Sequence, residues 1–170
     1  MSKLNNKIVL ISVLVITVTI LFILISRKEH LKIKFAEDEM PDFKFQLIDG
    51  GFIQKEDIDI CKFTLMCFFN SDCDFCISGT QELVDSISLL NNCQIVMVSY
   101  EDSIKVTEFY EKFRLMDFPQ IQVACVPEDY VYGMFKIYVI PTLYVYNPDK
   151  SMKKYKPGPV TVHEIVQYLK

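Results

Sequence analysis

Cys73 and Cys76 form a Cys-x-x-Cys pair, a spacing at which two thiols can join in a disulfide or share a metal ion. They stand two residues apart after an apolar run, Thr64 to Phe69, and a polar turn, Asn70-Ser71-Asp72. From Cys76 onward Leu83, Ile87 and Leu90 recur at helical spacing, with Asn91-Asn92 as the stop. The run reads as a buried strand, so the order is strand, turn, Cys-x-x-Cys, helix. Such an order holds a dithiol at a helix N-terminus, where unpaired backbone N–H groups and the helix dipole stabilise a thiolate. The chemistry expected is thiol–disulfide exchange through Cys73 and Cys76.

Other uses of the pair require other partners. A zinc site needs two more ligands, and the chain has no second Cys-x-x-Cys and no His-x-x-x-His; its two histidines are His30 and His163. A structural disulfide here would close too short a loop to constrain much of the unfolded chain. In that case the chain would be a binding or scaffold module with an inert Cys pair, and this remains the alternative from another functional class. A peroxidase of the peroxiredoxin type would want Thr three residues before the attacking Cys, where Asn70 stands. Cys61, Cys67, Cys93 and Cys125 read as small apolar residues, with Cys67 and Cys125 in strand-like runs. Asp72 and Asp74 flank Cys73. Like charge disfavours a thiolate, so both carboxylates are expected to tune Cys73 toward its protonated form and the couple toward reduction of partners.

The elements that must position this site follow along the chain. Ile8 to Ser26 carries no charge, Gly or Pro and is bracketed by Lys3 and Lys7 before it and Arg27-Lys28 after it. It is long enough to span a bilayer and lacks the small-residue exit of a cleaved signal peptide. Residues 1–27 therefore read as a signal anchor with a transmembrane helix over 8–26, and 28–42 as a tether. Residues 35–170 hold 12 Lys+Arg and 21 Asp+Glu, a net charge of −9 against −4 for the whole chain. A surface this acidic argues against nucleic acid as a partner.

Residues 43–170 read as one α/β domain, a central sheet flanked by helices. Phe43 to Leu47 alternates, Asp49-Gly50-Gly51 signals a hairpin, and Phe52 to Gln54 returns. Gln94 to Tyr100 reads as a central parallel strand, Ser103 as the cap of a helix to Phe113, and Ile121 to Val126 as a strand. Pro127-Glu128-Asp129 reads as the opening of a helix to about Phe135. Leu143 to Tyr146 and Met152 to Lys156 are strands, and Thr161 caps a last helix.

This arrangement resembles the thioredoxin superfamily, in particular its membrane-anchored, exported TlpA/ResA-type thiol–disulfide oxidoreductases. The residues that carry the resemblance are the block around Cys73-Asp74-Phe75-Cys76, the run Val139-Ile140-Pro141-Thr142 with the strand after it, the Gly158 region, and the N-terminal hairpin. It covers residues 40–170. It implies Cys73 as attacking thiol, Cys76 as resolving thiol, and Pro141 preceded by a cis peptide bond. The backbone of Ile140 would receive an extended substrate segment. It also implies protein thiols and disulfides as substrates, an upstream thiol electron donor, and no cofactor beyond the Cys73–Cys76 disulfide. The domain would lie on the exported side of the membrane, acting as a reductant; the positive-inside rule alone, with Lys3 and Lys7 before the span and Arg27, Lys28, Lys32 and Lys34 after it, gives the opposite orientation. Three positions depart from the family pattern: Asp72 where Trp is usual, Cys67 where a buried Asp often manages protons, and Gly79 where many anchored members carry Glu.

Overall fold

Thr64, Leu65 and Met66 expose no surface, and the strand they lie in sits inside the sheet, beside its middle strand. Strand β3 (Phe63–Phe68) pairs in parallel with β4 (Cys93–Ser99) and antiparallel with β6 (Thr142–Tyr146). Its side chains alternate between two cores: Leu65 faces one, Met66 and Phe68 the other. A strand buried on both faces needs such a continuous apolar run.

The computed structural model describes residues 14–21 and 39–170. Residues 14–21 are helical and exposed. No helix among the described residues is long and apolar enough to cross a membrane. The rest of the predicted 8–26 span, and the tether as far as residue 38, lie outside the described residues. Residues 37–170 form a compact unit of their own.

Seven strands make one sheet in the order β2-β1-β5-β4-β3-β6-β7. The hairpin β1 (Lys44–Leu47) and β2 (Phe52–Gln54) forms one edge, and β1 lies antiparallel to β5 (Ile121–Cys125). Gly50 and Gly51 take φ of 102° and 80° in the connecting turn, a region open to glycine. At the other edge β7 (Met152–Pro157) pairs with β6. The domain begins earlier than Phe43: Glu39 bridges to Ser151, and Met40 is fully buried, its N–H donating to Lys150 O at 2.9 Å. The end of the predicted tether is therefore part of the folded unit.

From β3 the chain steps twice in one direction, through α1 (Asp74–Asp85) to β4 and through α2 (Ser103–Lys112) to β5. These helices and α3 (Val162–Tyr168) share one core, to which they bring Leu83, Val106, Phe109, Val162 and Ile165. Asp102 rather than Ser103 caps α2, its carboxylate accepting from Ile104 N at 2.8 Å. Aspartate serves at least as well as serine at this position. Thr161 caps α3 as expected, in a capping box with Glu164.

On the opposite face the predicted helix over 127–135 is present as a short one, helical over residues 128–134. Its last five residues, Tyr130–Met134, take π geometry, closed by Phe135 N donating to Tyr130 O. Lys136, at φ 54°, ends it. Aromatic side chains pack beneath it. Phe135 lies 5.0 Å from Phe68, 5.8 Å from Phe45 and 6.1 Å from Tyr144 between ring centroids.

Candidate active site

Strand β3 delivers the chain to the site at its C-terminal end, beside that of its parallel neighbour β4. Phe69 is buried against Phe109 of α2, 4.7 Å between ring centroids, which fixes the start of the turn. The turn closes with Cys73 N donating to Asn70 O at 3.3 Å. Cys73 is then the N-cap of α1: its Sγ accepts from Cys76 N at 3.3 Å and its carbonyl from Ile77 N at 2.9 Å. The sulfur of Cys73 thus faces the positive end of the helix, the position expected from the sequence.

The two cysteines differ in access. Cys73 is partly exposed, whereas Cys76 keeps 4% of its surface. Burial pushes the Cys76 thiol up to about 12, and its hydrogen bond with Cys73 adds to this. An accessible sulfur at the cap and a protonated one behind it is an asymmetry that the spacing alone could not show.

The peptide bond between Ile140 and Pro141 is cis. Pro141, Thr142, Phe75 and Cys76 line one apolar cavity of about 70 Å³, so Pro141 and Cys76 share a cavity wall. Gly158 N donates to Pro141 O at 2.8 Å, which ties the loop after β7 to the same place. Ile140 is half-buried and precedes the first paired residue of β6, outside the sheet ladder.

Of the two carboxylates beside Cys73, Asp72 is in an ion pair. Lys105 Nζ lies 2.7 Å from its Oδ2, at the surface. The cation offsets part of the charge that the sequence placed next to Cys73. Asp74 is exposed in the first turn of α1.

Sequence reasoning missed Glu101, whose side chain is only 12% accessible. Its carboxylate accepts from Ser71 N at 2.5 Å and Ser71 Oγ at 3.1 Å, and from Ser99 Oγ at 3.3 Å, with Lys105 Nζ at 3.9 Å. Glu101 fastens the turn before Cys73 to the end of β4, and its charge helps to keep Cys76 protonated. The available signal was its place: the first carboxylate after a central parallel strand stands at the sheet edge where α/β sites form. Asn70 Oδ1, in the same turn, is buried without a hydrogen-bond partner.

The remaining cysteines are chemically quiet where buried. Burial pushes Cys67 up to about 12 and Cys93 and Cys125 to about 11. Cys67 shares the cavity wall with Cys76. Its thiol is held protonated in the fold, so stability from this group is complete below pH 9.0 and is lost as pH rises toward 12. At pH 10, above the ordinary value of 9.0, Cys67 costs the reduced protein on the order of 1 kcal/mol. Urea unfolding at pH 8 and pH 10 checks this: the stability gap between the wild type and Cys67→Ala narrows by that amount at the higher pH.

No family model matches the chain, and no curated protein matches it significantly in sequence. Solved structures do match. A secreted disulfide oxidoreductase of Mycobacterium tuberculosis, homologous to E. coli DsbE, aligns with TM-score 0.63 at 14% identity, over 75% of this chain and 93% of its own. StoA from Bacillus subtilis aligns with TM-score 0.58 at 18% identity, over 79% and 100%. Copper-bound ScoI from Arabidopsis thaliana aligns with TM-score 0.61 at 16% identity, over 78% and 98%. At these identities the likeness shows the fold, which is thioredoxin-like. A disulfide oxidoreductase and a copper-bound protein on one fold illustrate that the site, not the fold, must carry the function.

Proposed function

We propose that this thioredoxin-like chain is a membrane-tethered thiol–disulfide oxidoreductase that exchanges disulfides with protein thiols through Cys73 and Cys76. The observation that carries the reading is the asymmetric pair: Cys73 partly exposed as the cap of α1, Cys76 buried behind it, and Pro141 on the wall of the same cavity.

In the reductive direction the Cys73 thiolate attacks one sulfur of a partner disulfide. A Cys73–partner disulfide forms, and the other partner sulfur leaves as a thiolate that takes up a proton. Cys76 then loses its proton and attacks Cys73 Sγ, releasing the second partner thiol and leaving the Cys73–Cys76 disulfide. Two electrons pass to the partner, and an upstream dithiol donor returns them. Pro141 and the backbone of Ile140 would seat the extended partner segment, while Asp72 and Asp74 would hold the couple toward reduction. Residues 8–26 would anchor the domain on the exported side of the membrane.

Turnover of insulin disulfides by the full chain, with dithiothreitol as donor, tests the reading. The wild type is expected to accelerate precipitation of the insulin B chain, and Cys73→Ser to fall to the rate of the uncatalysed reaction. Equal rates for the two would leave the Cys pair without a catalytic role.

A further inference from the structure

The sheet edge that carries the dithiol also carries an aromatic patch with no part in the exchange chemistry. Tyr100 follows β4 directly, Tyr132 lies in the π turn, and Tyr138 stands two residues before Ile140. Ring centroids are 6.0 Å apart for Tyr100 and Tyr132 and 6.2 Å apart for Tyr132 and Tyr138. The Tyr100 hydroxyl disfavours the ionised form of Tyr132. Tyr132 is 39% exposed, Tyr138 64%, and Val139 beside it 48%. Tyrosines are enriched where partners dock, because a rigid ring gives large contact at low entropic cost.

The charge around the patch narrows the kind of partner. Glu101 and Asp102 follow Tyr100 in the chain, and exposed Glu128 and Asp129 lead into the π turn. Glu128 is close enough to Tyr132 to disfavour its ionised form. Asp72 and Asp74 are exposed on the dithiol turn. Lys105 is engaged with Asp72 and Glu101, and Lys136 with the carbonyl of Gly133. Exposed ring faces among carboxylates attract a cation by the ring quadrupole and by charge together. The same field repels anionic lipid and nucleic acid.

We propose that Tyr100, Tyr132 and Tyr138, with Glu128, form a recognition surface for an arginine or lysine side chain that flanks the reactive cysteine of a partner protein. The place of Tyr138, two residues before Ile140, puts that basic residue within a few positions of the partner cysteine along an extended segment. Arginine fits best, since its planar guanidinium stacks on a ring while donating to a carboxylate. The proposal rests on the thiol–disulfide reading, and its test separates the two.

The test uses the full chain and synthetic peptides of one sequence that differ only at the flanking position: arginine, norleucine or glutamate. For binding, the peptide cysteine is replaced by serine, so that affinity is read without exchange. The arginine peptide is expected to bind about three- to tenfold more tightly than the norleucine peptide, the range of a partly exposed cation–π contact. The glutamate peptide is expected to bind more weakly than both. Tyr132→Ala and Glu128→Gln should each bring the arginine peptide toward the norleucine affinity, with near-UV circular dichroism checking that the fold is kept. Equal affinities of the wild type for all three peptides would overturn the proposal, as would an arginine preference that survives Tyr132→Ala and Tyr138→Ala. Disulfide forms of the same peptides are assayed for turnover in parallel. Preference in binding with no turnover of any peptide would count against the redox reading and not against the patch.

Discussion

With Cys76 changed to serine, the full chain stays covalently joined to its substrate through Cys73. The attack step needs only the accessible sulfur at the helix cap, so it proceeds. Resolution needs the thiol at position 76, which the variant lacks. The adduct then decays only by uncatalysed exchange, over minutes to hours. Non-reducing electrophoresis with mass spectrometry of the linked peptides reads the result directly. The expected adduct is on Cys73. Cys67, Cys93 and Cys125 should carry none, since burial holds their thiols protonated at about 12, 11 and 11. Cys73→Ser should form no adduct at all. An adduct on Cys61, the exposed cysteine, would point to adventitious exchange instead.

Truncating Phe68 to alanine should cost the fold about 3–5 kcal/mol, the usual range for a fully buried aromatic. Phe68 keeps 1% of its surface and is sandwiched by Phe135 at 5.0 Å and Tyr144 at 6.1 Å between centroids. Among the described residues this face has no helix longer than the short one over 128–134, so the aromatic cluster supplies much of its cohesion. Against a typical total of about 5–15 kcal/mol, the loss is a large share of the whole. It also reaches the site, because Phe68 is the last residue of β3 before the turn that presents Cys73. Urea unfolding measures the cost. Phe75→Ala supplies the contrast: Phe75 is 60% exposed beside the dithiol and should change stability by less than about 0.5 kcal/mol.

What could be read from the sequence was local. The central strands announce themselves as apolar runs, the hairpin through Asp49-Gly50-Gly51, and the last helix through Thr161 and Glu164. The spacing of Cys73 and Cys76 points to the chemistry proposed for them, and a family resemblance adds Pro141. What escaped was set by distance in the chain. Glu101 is 30 residues from Ser71 along the chain, and Lys105 is 33 from Asp72, so no window of sequence pairs them. The order of the sheet was hidden in the same way, since Gln46 of β1 lies opposite Cys125 of β5. The return segment was legible in outline, since Pro127-Glu128-Asp129 does open a helix, which runs over 128–134. Its π geometry was not legible: Lys136 ends it at φ 54°, and Val131, Phe135 and Ile137 are drawn into the aromatic core.

If Cys73 and Cys76 form one two-electron redox couple, a redox titration of the full chain in dithiothreitol buffers, quenched by alkylation and read by mass spectrometry at each cysteine, will show it. A single two-electron transition is expected, in which Cys73 and Cys76 lose and regain their reactive thiols together, recovered in the oxidised form as one linked peptide. If both stay alkylated across the whole range, or if either links instead to Cys61, Cys67, Cys93 or Cys125, the pair is not the couple proposed.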